Sequence, residues 1–285
     1  MKILVAGAAG MLGRDVLDAA GDDAVGLAHA DLDVTDAASV GRIVGEVRPD
    51  LVVNCAAWTD VDGAEEHEAD ALRVNGDGAG TLAAAAADAG AAVLYVSSDY
   101  VFDGTKGEPY VESDPTNPIS AYGRTKLAGE RATADANPRH YIVRTSWLFG
   151  VGGKNFVETM LRVGRERGEA RVVDDQIGCP TYTGHLAQSL LSLARDGEFG
   201  IHHRAAQGQC SWFEFARMIF QKAHVDCRVE PCSTAEFPRP ARRPAYSVLE
   251  SERTTTAFGA DGLIPTLPPW QHGLAAYLAE REVAV

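Results

Sequence analysis

An α/β fold with a doubly wound parallel sheet, and a smaller α/β region interleaved in its second half, is predicted for this chain by three observations. Short apolar runs alternate with longer helical stretches through the first half. A glycine-rich turn, Gly7-Ala8-Ala9-Gly10-Met11-Leu12-Gly13, follows the first of those runs. After Trp147 the alternation gives way to short segments punctuated by Gly and Pro.

Ile3 to Ala6 supplies the first strand, and Gly10 to Ala20 the helix that follows the turn. Ala24 to Ala28, Leu51 to Cys55, Val93 to Val96 and Tyr141 to Thr145 read as further buried strands, because each is a short apolar run flanked by turn residues. Ala37 to Val47, Ala69 to Ala89 and Ala121 to Ala134 read as the helices between them, the alanines at 83–87 acting as filler of high helix propensity. Farther on, Ser211-Trp212-Phe213-Glu214 has the spacing of a capping box opening an apolar helix. Residues 236–244 carry Pro238, Pro240 and Pro244 and cannot form a helix interior. That extended loop presents Arg239, Arg242 and Arg243, whose planar guanidiniums suit a diphosphate; equally, they suit pairing with an acidic surface.

Composition excludes several function classes. The 285 residues, 46% hydrophobic, provide ample core for a globular enzyme. With 26 basic against 40 acidic residues the net charge is −14, which repels nucleic acid and anionic lipid, so neither is expected as a partner. Only five of the basic residues are Lys, a skew that fits adaptation to high salt as well as it fits a GC-rich genome. Five scattered cysteines, with no Cys-x-x-Cys pair, argue for a reducing compartment and against a metal site. No apolar run reaches the roughly 18 residues of a membrane span. The chain opens directly on its first strand, so no signal peptide is expected and the cytoplasm is the expected location.

The glycine turn between strand and helix is where a dinucleotide places its pyrophosphate: the glycines allow close backbone approach and the helix N-terminus favours the anion. Gly7, Gly10, Met11, Leu12 and Gly13 are the expected contacts. Dinucleotide folds that select NAD carry an acidic residue about 20 positions on, at the end of the second strand. Here that strand runs into His29, Asp33 and Val34 come later, and Arg14 follows the last glycine. Positive character at Arg14 and His29 suits a 2′-phosphate, so NADPH is the expected cofactor, with NADH tolerated. Ser98, at the end of a later strand, precedes Tyr122 and Lys126, which are four apart and share a helix face. A Lys ammonium beside a phenol is expected to favour the phenolate and make Tyr122 an acid/base for hydride-transfer chemistry.

That order of motifs resembles the extended short-chain dehydrogenase/reductase family, and within it the branch that reduces 4-keto nucleotide sugars. The blocks that carry the resemblance are 54–65, 98–104, 122–130, 144–150, 175–181, 241–244 and 270–274, spread over nearly the whole chain. Ser98 stands where many members have Thr, keeping the hydroxyl, while Cys55 and Trp58 replace smaller residues and a His. The resemblance implies a Rossmann-type cofactor domain over residues 1–146, with later returns near 170–200 and 236–256, and a mainly substrate-binding region over 147–285. It implies Ser98, Tyr122 and Lys126 as catalytic residues, and Lys126, Ala56 and Ala57 as further cofactor contacts. Thr59, Val61, Asp99, Tyr100, Trp147, Asn155, Arg242 and Arg243 are the implied substrate contacts. The implied reaction is NADPH-dependent reduction of the C4 keto group of dTDP-4-dehydro-6-deoxy-L-mannose, with a homodimer as the family's expected assembly. Two other readings share the fold: an epimerase or dehydratase that returns its hydride, and a non-catalytic regulatory subunit like that of methionine adenosyltransferase.

Overall fold

The structure, a computed structural model, describes residues 1–255 and 264–283. Six parallel strands form the central sheet in the order Gly200–His203, His140–Arg144, Ala92–Val96, Leu51–Asn54, Ile3–Ala6 and Ala24–Leu27. From Ile3–Ala6 the chain goes outward to the edge strand, then returns on the other side to Leu51–Asn54. The strand order therefore reverses between these two central strands, and the crevice outside their carboxyl ends is where such sheets bind ligands.

Alternation along the strands builds two cores. Ile3, Val5, Leu51, Val53 and Leu94 face the helices Met11–Ala20 and Thr183–Asp196, through Leu12, Val16, Leu186 and Leu190. Leu4, Ala6, Val52 and Val93 face Val40 and Val44 of helix Ala37–Val47, and Leu82, Ala83 and Ala86 of helix Gly78–Asp88. Asp36 starts helix Ala37–Val47 at the expected residue, its carboxylate accepting the N–H groups of Ala38 and Ser39 at 3.1 Å. A third core, around Phe149, Leu161, Phe215, Ile219 and Tyr277, lies among the helices Phe156–Arg167, Trp212–Lys222 and Trp270–Val283. The capping box at Ser211 is formed, with Glu214 N–H donating to the Ser hydroxyl at 3.1 Å and Ser211 N–H to the Glu carboxylate at 2.9 Å.

The five expected strands and their neighbouring helices stand within two residues of their anticipated ends, except for one helix. The stretch expected as a single helix from Ala69 to Ala89 is Glu68–Leu72, a π-helical turn Arg73–Asp77, and Gly78–Asp88. At that turn buried Asn75 bonds sideways: its carbonyl accepts the Tyr95 hydroxyl at 3.0 Å, its side-chain oxygen accepts Trp58 N–H at 2.8 Å, and its amide donates to Thr125 Oγ1 at 3.0 Å. The sixth strand, Gly200–His203, and the helix Thr183–Asp196 before it add to the sheet beyond the five strands read from sequence. Among the described residues no helix is long and apolar enough to cross a membrane.

Candidate active site

The crevice begins at the glycine turn. Gly7 has φ +76°, and a Cβ there would lie 2.5 Å from the Ala56 nitrogen, so only glycine lets the first and third strand ends approach this closely. A Cβ on Gly13 would lie 2.3 Å from the Gly7 carbonyl oxygen. Gly10 opens the helix with no side chain capping it, which leaves the first turn's N–H groups to an incoming anion. Leu12 is buried in the sheet core, while half-buried Met11 meets the Asn155 amide at 3.7 Å. Ala56 donates its N–H to Asn54 Oδ1 at 3.0 Å, and Ala57 follows it along the rim.

The two basic groups expected near a 2′-phosphate have different neighbours. Arg14 is exposed in the helix's first turn and lies against Gly152, where a Cβ would come within 2.2 Å of Nη1. His29 is exposed and near Asp33, whose carboxyl is held below its usual range by the Thr35 N–H and hydroxyl, then by His29 and Arg73. Val34 is buried against Gly78.

Ser98, Tyr122 and Lys126 come together at the carboxyl end of Ala92–Val96. Ser98 caps the 3-10 turn Asp99–Val101, its hydroxyl donating to Asp99 Oδ1 at 2.9 Å and accepting Tyr100 N–H at 3.2 Å. Helix Ala121–Ala136, capped by Ser120, presses onto that turn; a Cβ on Gly123 would be 2.2 Å from the Tyr100 carbonyl oxygen. This approach brings the Tyr122 phenol beside the Ser98 side chain and sets the Tyr100 ring edge-on to Tyr122 at 5.6 Å.

The electrostatics differ from the expectation that Lys126 would acidify Tyr122. Burial pushes the Tyr122 phenol up to about 12, and the Asp99 carboxylate adds to the rise, opposed by the Ser98 hydroxyl. Lys126 is committed elsewhere: its Nζ donates to the Val96 carbonyl at 2.7 Å and sits 4.2 Å from the centre of the Tyr95 ring. Burial draws the ammonium down to about 7, opposed by Glu130 and Cys55. Desolvation and the Asp99 charge thus dominate at Tyr122, and the phenol keeps its proton at neutral pH. Asp99, fully enclosed with its Oδ2 unpartnered, is raised by burial to about 6, opposed by the side chains of Ser247 and Ser98.

The expected substrate residues fall into three groups. Asp99, Tyr100 and Trp147 border the Ser98 turn, the N–H of Asp99 donating to the Thr145 carbonyl at 2.9 Å. Trp147 has φ +47°, unusual for a bulky residue; its indole lies flat on Trp212 at 3.5 Å and 4°, with Gly178 so close that a Cβ would be 2.3 Å from the ring. Asn155 caps helix Phe156–Arg167 through Oδ1 and ties down Gly150 O through its amide, at 3.0 and 2.9 Å. Thr59 is exposed and Val61 half-buried in the loop after Leu51–Asn54. Arg243 reaches this loop and bonds Asp62, whereas Arg242 is exposed.

Four residues that sequence reasoning passed over help build the site. Asn75 ties the Trp58 loop to the Tyr122 helix, Asp62 holds the arginine loop, and Trp212 backs Trp147. Glu130 lies one turn beyond Lys126, bonded to Arg144 at 2.8 and 2.9 Å and to Ser97 Oγ at 2.6 Å, all buried. The i, i+4 spacing from Lys126 was a legible signal for Glu130. No local pattern marks Asp62 or Trp212. Among the described residues there is no cluster of three or more His, Cys, Asp or Glu side chains able to hold a metal, and the cysteines are free.

A family model described as the RmlD substrate binding domain matches residues 1–283. The chain belongs to the RmlD family. A "dTDP-4-dehydrorhamnose reductase" of Streptomyces griseus is 45% identical over 95% of this chain and 91% of that protein. A "dTDP-4-keto-6-deoxy-D-glucose reductase" of Streptomyces niveus is 46% identical over 92% and 91%. A solved dTDP-4-dehydrorhamnose reductase of Bacillus anthracis, in complex with NADP, is 38% identical, with TM-score 0.93 over 98% of this chain and all of that one. The glycine cradle of this RmlD chain fits such a dinucleotide, since at Gly7 and Gly13 any side chain would occupy the space its own backbone needs.

Proposed function

We propose that the chain reduces the C4 keto group of dTDP-4-dehydrorhamnose with NADPH, giving dTDP-L-rhamnose. The observation that carries the reading is the gathering of Ser98, Tyr122 and Lys126 at the sheet's carboxyl end, on the turn Asp99–Val101 and the helix Ala121–Ala136 packed against it, with a phenol that burial keeps protonated near neutrality. A reduction needs such a proton donor poised where the new alkoxide forms.

When bound, NADPH supplies the hydride that adds to C4. Tyr122 gives its hydroxyl proton to the C4 oxygen, and Ser98 hydrogen-bonds that oxygen and orients the carbonyl. Lys126 holds the nicotinamide ribose. The backbone of Gly7, Gly10, Met11, Leu12 and Gly13 takes the pyrophosphate; Arg14 and His29 receive the 2′-phosphate; Asp33, Val34, Ala56 and Ala57 flank the adenosine half. Thr59, Val61, Asp99, Tyr100, Trp147 and Asn155 border the sugar and nucleotide, and Arg242 and Arg243 face the diphosphate. Residues 1–146 then serve mainly the cofactor, with returns near 170–200 and 236–256, and 147–285 mainly the substrate.

The net charge of −14 supports an enzyme that works on a free nucleotide sugar, without nucleic acid or membrane partners. Cysteine usage supports the cytoplasm. A homodimer is the assembly we assign, and the acidic, Lys-poor composition supports a salt-adapted host.

The test is consumption of NADPH, followed by loss of reduced-nicotinamide absorbance, with dTDP-4-dehydrorhamnose and, as comparison, its unepimerised 4-keto precursor. Stoichiometric loss with the first sugar supports the reading. An isomerised sugar without NADPH loss means an epimerase, and no chemistry at all means a regulatory subunit.

A further inference from the structure

The loop 238–244 has no regular structure of its own, and what fastens it is one carboxylate. Asp62, in the loop leaving Leu51–Asn54, accepts Arg239 Nε at 2.8 Å and the same residue's Nη2, the Ala241 N–H at 3.2 Å, and Arg243 Nη1 and Nη2 at 3.1 Å each. Burial alone would raise this carboxyl, yet the two guanidiniums and the N–H hold it down to about 2. Arg243 also donates to the Ala241 carbonyl at 3.1 Å, and its guanidinium lies close enough to the Tyr100 phenol for the two to interact electrostatically. Tyr100 in turn meets Tyr122 edge-on. Neighbours therefore run from Asp62 through Arg243 and Tyr100 to the proton donor.

This is not an ordinary surface pair. Exposed ion pairs contribute little because solvent screens them and both side chains lose freedom. Here the Asp62 and Arg243 side chains are only 15% and 19% exposed and the Arg fork is bidentate, a geometry that fixes orientation. One acid against two arginines leaves the cluster a net positive charge, so it still attracts an anion. Arg239, half exposed, shares the acid but has no contact with Tyr100 among those described.

We infer that Asp62 is a positioning residue for substrate: it orders the 238–244 loop and presets Arg243 beside Tyr100 to receive the diphosphate of a nucleotide sugar. The inference rests on the reductase reading for the identity of that sugar. An arginine already held in place binds its anion without the cost of ordering a long side chain and its loop.

The full chain is tested with dTDP as probe by calorimetry, which needs no turnover, alongside kcat and KM for the 4-keto sugar and the Kd for NADPH. Asp62→Ala is expected to weaken dTDP and raise the sugar KM by about tenfold, while kcat stays within about threefold. The NADPH Kd should not move, which separates positioning from general loosening of the fold. Asp62→Glu should restore part of the loss, and Arg239→Ala should cost less than Arg243→Ala. Added to Arg243→Ala, the Asp62→Ala change should cost little more, because both remove one interaction. Unchanged or tighter dTDP binding in Asp62→Ala, or fully additive losses, would overturn the inference. A parent that consumes no NADPH would sink the reductase reading instead, and dTDP calorimetry would still decide the role of Asp62.

Discussion

Asp99→Asn isolates the electrostatic cost of the site. The Asp99 carboxyl rises from 3.8 to about 6, because burial penalises its charge more than the nearby hydroxyls of Ser247 and Ser98 relieve it. Between those two values the folded protein holds a proton that the unfolded chain has released. Stability of the parent therefore falls as pH rises through that window, and it stays lowered at higher pH. A rise of about two units, at about 1.4 kcal/mol each, amounts to about 3 kcal/mol. Asparagine carries no charge at any pH and so escapes the penalty. Urea unfolding of parent and variant across the range gives the difference in free energy, from which every other titrating group cancels. That difference should move in the variant's favour by about 3 kcal/mol between about pH 4 and pH 7. Its absolute offset includes local hydrogen-bond changes and decides nothing. A difference that is flat with pH, or that shrinks as pH rises, would refute an enclosed, destabilised carboxylate at this position.

Tyr122→Phe should lower kcat by about 10²- to 10⁴-fold and leave the NADPH Kd nearly unchanged, since only the proton donor is lost; retained turnover would remove Tyr122 from the acid's role. Lys126→Ala should differ by raising the NADPH Kd as well as lowering kcat, which cofactor titration and single-turnover reduction on the same samples would separate. Arg14→Ala should weaken NADPH while leaving NADH unaffected, and equal losses for both cofactors would discard Arg14 as a 2′-phosphate contact. The melting temperature should climb between low and molar potassium chloride as salt screens carboxylate repulsion, whereas a flat curve would make the acidic composition unrelated to salt.

Sequence made local features legible and left lateral ones hidden. The strand from Ile3 and the helix from Ala37 were readable because an apolar run and a helical stretch between two such runs are local patterns. Ser98, Tyr122 and Lys126 were readable as a set for the same reason: two sit on one helix, the third on the turn it packs against. The strand Gly200–His203 was not, since Gly-Ile-His-His has no apolar run and owes its place to pairing with His140–Arg144. The π-turn at Asn75 was hidden in an alanine-rich stretch because its partners, Trp58, Tyr95 and Thr125, are all remote in sequence. The pairing of Arg243 with Asp62 joins positions nearly two thirds of the chain apart, and the direction of the Tyr122 shift depends on how deeply the phenol is enclosed.

The flat pairing of Trp147 on Trp212 has an optical consequence. Two of the four tryptophans are stacked closely enough to behave as one coupled chromophore, while Trp58 and Trp270 stand apart from that pair. A nucleotide sugar settling against Trp147 would change the coupling and hence the circular dichroism of the pair. Reduced nicotinamide reports on the other half of the crevice through its own absorbance. With Trp147 in the proposed sugar site, the two ligands would have separate native signals, and their order of arrival would be measurable in stopped flow without an attached dye.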